Sequence, residues 1–237
     1  SFVLFLLVMP RWAALRWSEP RPWEALGIRG AKPQEQPAPA AALLKGLLIA
    51  AGLLMVITSV VLIDGSGNWR GEVDATQLTN AVLLCLGVGF AEELIFRSWL
   101  WTELQEMIGS RRAAWAQAGI FSLVHTRFNL GLGAMGGLLI GLFLLGMVLA
   151  RQRQSDRGSL WGCIGLHGGL VAGWFLLQNG LLQLSPNAPP WLVGPGGHSP
   201  NPLGGLIGIL SLLILLLIQR TAVANALRPS TGARRAS

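Results

Sequence analysis

Charge is what this sequence has least of: 12% of its residues are Asp, Glu, Lys or Arg, about half the share of an ordinary soluble domain. That shortage excludes a water-facing globule, because 237 residues with so little charge cannot cover a solvated surface. Cysteine is scarce as well. Cys85 and Cys163 both lie in apolar runs, a spacing that suits neither a disulfide nor a cysteine zinc site, and they read as small packing residues. The net charge of +7 invites a nucleic-acid reading. No basic stripe interleaved with aromatics supports it, so nucleic acid is excluded as a partner. No internal repeat is evident, which argues against a transporter of paired halves.

Long apolar blocks take the place of charge. The chain is 52% hydrophobic with a mean hydropathy of +0.53, and its blocks fall at 43–63, 78–101, 113–125, 130–150, 160–184 and 203–218. Several reach the roughly 20 apolar residues that a spanning helix needs. The fold class expected is all-α, a polytopic transmembrane helical bundle of about six spans plus a partial N-terminal helix. The opening run 1–10 has no basic n-region and is too short to span, so it reads as the end of a helix that starts before Ser1. Residues 1–40 then form a helix stub and a Trp/Arg/Pro-rich linker. Trp12, Trp17 and Trp23 suit a membrane–water interface. Residues 41–219 form the membrane domain, and 220–237 a basic, disordered tail.

The basic residues test this map. Segments 11–45, 101–112, 151–159 and the tail carry six, two, three and four Lys or Arg, 15 of the 18 in the chain. The intervening loops hold only Arg70 and Arg127. That bias places the 11–45 linker and the tail on the cytoplasmic side of a lipid bilayer. The block 113–125 is the weakest span and needs His125 to lie inside the bilayer.

Within the blocks, "FAEELIFRSW" (90–99) holds the only charges away from the ends: Glu92, Glu93 and Arg97. A charge near the bilayer centre costs about 2.5–3.5 kcal/mol even on lenient scales. Glu93 and Arg97 stand at i,i+4 and can pair on one helical face. Glu92 lies about 100° around the helix without an in-helix cation. At a rise of about 1.5 Å per residue, Glu92, Glu93 and His167 fall about 15 Å from the cytoplasmic face, and His125 about 20 Å. Two carboxylates and two imidazoles at one level form a candidate hydrolytic or metal site. The glycines beside them, Gly87, Gly89, Gly165, Gly168, Gly169 and Gly173, allow close helix approach. His198, in a Gly/Pro-rich outer loop, reads as an ordinary loop residue.

These residues resemble a known family. "EELIFR" fits EExxxR, "FSLVH" fits FxxxH, and "GLHGGLVAGW" is similar to the third motif of the CPBP family, the CAAX prenyl protease type II-like membrane proteins also associated with bacteriocin processing and self-immunity. The likeness covers about 78–210, including the "PPWLVGPGGHSPNPLGGLIG" loop and helix. It implies a CAAX-type intramembrane (metallo)endopeptidase acting on membrane-embedded or lipid-anchored peptides. By position, Glu92 is then the general base that activates water, and Glu93 assists or is held by Arg97. His125 and His167 position the water, bind a metal or stabilise the oxyanion, with Phe121 one turn before His125 as an orienting residue. A Zn²⁺ ion on Glu92, His125 and His167 and a metal-independent route both remain open.

An apolar cavity also makes a carboxylate a better base for water. One departure stands out. The family often has HxxxN at its third motif, whereas Val171 stands at that position here and has no donor. Asn129, one turn past His125, is the candidate substitute. Val171 also favours the alternative function, a non-proteolytic membrane scaffold or bacteriocin-immunity-type factor that keeps the fold.

Overall fold

The computed structural model describes residues 2–29, 36–197 and 199–226. Its helices are α1 (Phe2–Arg16), α2 (Pro22–Ala25), α3 (Pro39–Ile63), α4 (Ala75–Glu93), α5 (Trp101–Ile108), α6 (Ser110–Leu123), α7 (Leu132–Ser155), α8 (Trp161–Leu176), α9 (Pro190–Val193) and α10 (Leu206–Ala226). A π-helical turn, Leu94–Leu100, joins α4 to α5 without a break, and a second, Leu177–Leu181, extends α8. Among the described residues, three helices are long and apolar enough to cross a membrane: Pro39–Ile63, Ala75–Ile108 and Leu132–Ser155. Leu206–Arg220 is a shorter apolar helix. The chain is therefore a nearly all-α integral membrane protein.

Local sequence sets the helix ends. Pro39 opens α3 at a position where a missing N–H costs nothing. Asp74 and Gln77 form a capping box at the start of α4, each side chain accepting from the other's backbone N–H (2.7 and 2.9 Å). The Gln77 amide also donates to Asn179 O (2.6 Å), fastening α4 to the end of α8. Gly109, at φ +79°, turns the chain between α5 and α6.

Four details differ from the sequence expectation. A two-stranded antiparallel ribbon pairs β1 (Gly67–Trp69) with β2 (Leu182–Leu184), in the register Asn68 opposite Gln183. The N-terminal helix continues through Pro10 to Arg16 and packs on α5. Trp12 and Trp17 both donate to Glu103 Oε1 at 2.8 Å, and Arg16 pairs with Glu103 and Glu106. At 14 residues, α6 is about 21 Å long, short of a bilayer core of about 30 Å. Finally, α10 runs to Ala226, past the boundary drawn at 219, and residues 227–237 lie outside the described residues.

The bundle is built on α8, which packs against both α3 and α4. Small residues carry the approach. The backbone at Gly46 meets Gly162 and Leu166, Gly165 meets Leu43, and Gly89 meets Gly168, with Cys85 O close behind. Lipid supplies no hydrophobic force between helices, so such close contact is what binds them. One apolar cluster joins α3, α7, α8 and α10 through Ile57, Leu145, Leu166 and Leu212. A second joins α1 to α8 through Met9, Ala13, Leu160 and Ile164. At the α7 end, Asp156 binds Lys45 (2.9 Å) and Gln152 (2.7 Å), drawing α3 and α7 together.

A Cβ at Gly168 would run into the Cys85 carbonyl, whereas one at Gly52 of α3 would meet nothing within 4 Å. Gly168→Ala is expected to lower unfolding stability by about 1–3 kcal/mol in a denaturant titration in detergent micelles. Gly52→Ala should leave the midpoint unchanged or raise it.

Candidate active site

The first π turn follows directly on the two glutamates and carries Arg97. Such turns often mark functional sites. Glu93 and Arg97 are both completely buried, with Arg97 Nη1 donating to Glu93 Oε1 at 2.9 Å. The same carboxylate oxygen accepts from His167 Nδ1 at 2.8 Å. Glu93 thus joins its own helix to α8. The guanidinium also lies over the Phe121 ring, 4.0 Å from its centroid, a cation–π contact that offsets part of its desolvation. Arg153 of α7 donates to the Arg97 carbonyl, closing the group from the α7 side.

Phe121 organises the opposite wall. It is fully buried, and its carbonyl accepts from His125 Nδ1 at 2.7 Å. Its ring centroid lies 4.7 Å from that of His125 and 5.6 Å from that of His167, the latter edge to face. His125 itself sits two residues beyond the end of α6, so this carbonyl is what sets its ring.

Glu92 faces both imidazoles. Its Oε2 lies 3.6 Å from His125 Nε2 and 3.9 Å from His167 Nε2, and has no hydrogen-bond partner among the described residues. Both gaps are too long for a direct hydrogen bond. The tautomers follow from the outer contacts. A carbonyl and a paired carboxylate can only accept, so each imidazole carries a hydrogen on Nδ1 and, in its neutral form, turns the Nε2 lone pair towards Glu92. Glu92 Oε2 then faces two further acceptors, and a water between them can donate one hydrogen to Glu92 and the other to one imidazole. An imidazole so engaged has no N–H left for an oxyanion until it takes up a second proton.

Glu92, His125, His167 and Val171 line one cavity of about 280 Å³. Glu93 lies behind it, holding His167. Asn129, the expected substitute donor, is exposed in the turn after α6 and does not line this cavity. The chain leaves α6 at Leu123 and swings that residue outward. Four polar groups missed from sequence do line it: Arg127, from the same turn, Gln178, from the turn that extends α8, and Ser199 and Asn201, from the loop before α10. The Gly/Pro-rich composition of that loop reads as an outer connection, but the Trp174 indole holds it in the bundle by donating to Pro200 O (2.8 Å). His198 lies outside the described residues. A larger cavity of about 770 Å³, almost wholly apolar, opens between α3, α4 and α8, and Leu54 lines both cavities.

A zinc site needs donors about 2.0–2.2 Å from a common point in a tetrahedral array. Among the described residues, no group of three or more His, Cys, Asp or Glu side chains is set to hold a metal ion. The expected trio of Glu92, His125 and His167 does not fit zinc as it stands.

Fold and site together define a helical integral membrane protein with a buried Glu/His centre. Residues 74–173, the stretch that carries all three motifs, match the family model described as type II CAAX prenyl endopeptidase Rce1-like, the family that those motifs resemble. Comparison with curated proteins and with solved structures returns no match.

The Glu93–Arg97 pair predicts a stability signature. Arg97→Met leaves a buried carboxylate whose cation is gone, and should cost about 3–5 kcal/mol in the same micelle titration. Adding Glu93→Gln should recover much of that loss. A double variant no more stable than the single one contradicts the pairing.

Proposed function

We propose that the protein is an intramembrane endopeptidase that hydrolyses membrane-associated or lipid-anchored peptides with a Glu92-activated water. The observation that carries this reading is the convergence of Glu92 Oε2 with two imidazole Nε2 atoms at 3.6 and 3.9 Å. A water seated there gives one hydrogen to Glu92 and the other to an imidazole, which leaves its lone pair for a carbonyl carbon. Glu92 takes the proton as the C–O bond forms, then returns it to the leaving amine. The imidazole that accepts this second hydrogen, its ring fixed by Phe121 or by Glu93, orients the water. Glu93 and Arg97 act as positioning residues.

The residue set favours this metal-independent route over zinc on Glu92, His125 and His167. The apolar cavity beside the site supports a hydrocarbon-bearing substrate, because Leu54 belongs to both walls. In this reading the bundle crosses the bilayer about six times, α6 being a short span and α8 completed by its π turn. The 11–45 linker and the tail face the cytoplasm, as their basic residues indicate. Val171, on the cavity wall, favours the second reading, a non-proteolytic scaffold or immunity-type factor.

Purified full-length protein in proteoliposomes, offered an internally quenched peptide ending in a farnesylated CAAX sequence, separates the two. The wild type should cleave it, and Glu92→Gln should lower kcat by about 10²–10⁴-fold, the range for losing a general base. Cleavage should persist in the presence of a chelator. Equal turnover by wild type and Glu92→Gln, or none by either, favours the scaffold, and loss of cleavage in chelator returns the metal.

A further inference from the structure

Glu92 and the two imidazoles account for the water, but not for the substrate carbonyl. As its C=O bond opens, the electron pair moves to oxygen, and a donor aimed there is commonly the largest single contribution to catalysis. Val171 cannot donate, Asn129 lies off the cavity, and both imidazole Nδ1 atoms are engaged by Phe121 and Glu93. Of the other donors on the wall, Arg127 and Ser199 are exposed, and Gln178 stands eleven residues past His167, about 16 Å along α8 and its extension.

Asn201 lines the same cavity, and its loop is tied down at every turn. Asn201 N donates to Pro195 O (2.8 Å), Ser199 N to Gly196 O (3.1 Å), and the Trp174 indole to Pro200 O (2.8 Å). Gly194, at φ +94°, lets the chain double back so closely that a Cβ there would strike Asn201 O. The loop then rests on α7, with Gly204 O against Gly137 and Leu203 O against Gly141. Between these glycines lies Leu139, whose carbonyl accepts from Ser122 Oγ of α6 at 2.7 Å. The loop therefore reaches the level of the last turn of α6, where Ser122 precedes His125 by three residues. Finally, Leu203 N donates to Asn201 Oδ1 (3.1 Å). That bond fixes the amide by its oxygen, and Nδ2 has no hydrogen-bond partner among the described residues.

We propose that Asn201 Nδ2 is the oxyanion donor of this site, taking the part that the asparagine of HxxxN would play at position 171 of the same cavity wall. The proposal rests on the endopeptidase reading. Water adds to the carbonyl carbon as Glu92 removes its proton, and the negative charge that forms on the carbonyl oxygen is met by an Nδ2–H. Collapse then breaks the C–N bond, with the amine protonated from Glu92. No co-reactant besides water is needed.

The test uses the full chain in proteoliposomes and the quenched farnesylated CAAX peptide. Asn201→Asp keeps the oxygen that accepts from Leu203 N and removes the donor, and Asn201→Ser keeps a shorter acceptor. Each should lower kcat by about 10²–10³-fold, the range for losing one oxyanion donor, with KM and the unfolding midpoint little changed. Val171→Asn, added to Asn201→Ser, restores an amide at the motif position and should recover kcat at least about tenfold. Variants at 201 that turn over like the wild type overturn the inference while Glu92 dependence keeps the endopeptidase reading intact. A rise in KM with kcat unchanged, or a lowered unfolding midpoint that Val171→Asn does not offset, also overturns it by making Asn201 a structural residue. No Glu92-dependent cleavage by the wild type overturns the inference and the reading together.

Discussion

Everything in the site depends on one carboxylate oxygen, Glu93 Oε1, which accepts from both Arg97 and His167 in the dry centre of the bundle. Burying an ion pair is expensive, several kcal/mol per ion even after relaxation, and is tolerated only where further hydrogen bonds complete it. The second bond, to His167, therefore serves two ends. It gives the buried carboxylate a second hydrogen-bond donor among apolar helices, and it holds His167 with Nε2 turned towards Glu92. Stability and site geometry are consequences of the same contact, which is why the more deeply buried glutamate is the one that faces away from the cavity.

That contact exists only because α4 and α8 lie unusually close. Gly89 and Gly168 face each other, and Gly168 rests on Cys85 O, so no side chain holds the helices apart. The π turn at Leu94–Leu100 follows on α4 at this level and carries Arg97. A residue added to the helical repeat there changes which face each following side chain presents. It sets Arg97 beneath Phe121, so the guanidinium is met on one side by Glu93 and on the other by an aromatic face. Phe121 in turn fixes His125. The two imidazoles are thus positioned by one connected chain of contacts: Phe121, Arg97, Glu93 and His167.

Much of this was legible in the residues. Adjacent glutamates must point about 100° apart on a helix, and i,i+4 spacing pairs Glu93 with Arg97, so the division between a held and a free carboxylate followed from local geometry. The common level of Glu92 and the histidines followed from counting residues along apolar blocks. The Glu93–His167 bond was not legible, since it depends on the rotation of α8 against α4, which the glycines permit but do not specify. Asn129 was misplaced because α6 ends at Leu123, two residues before the motif histidine. Trp12 and Trp17, which composition assigns to the bilayer surface, also donate to Glu103, a tertiary contact that composition cannot express. The β1–β2 ribbon, three residues on each side, is too short to show an alternating pattern.

The loop before α10 is the instructive case. Its glycines and prolines describe an irregular chain, and irregular chain at membrane depth is tolerated only where protein surrounds it or a cavity receives it. Both conditions hold here. Gly137 and Gly141 clear a seat on α7, and Trp174 satisfies a carbonyl that lipid would leave bare. The segment that matches the family model ends at 173, before this loop begins. Glu92, His125 and His167 therefore come from the matched segment, while Asn201 and its loop come from a part of the chain outside that match. In the reaction proposed above, this division leaves the water chemistry to the matched segment and the donor for the substrate carbonyl to the loop, which is how the cavity can carry Val171 at the motif position.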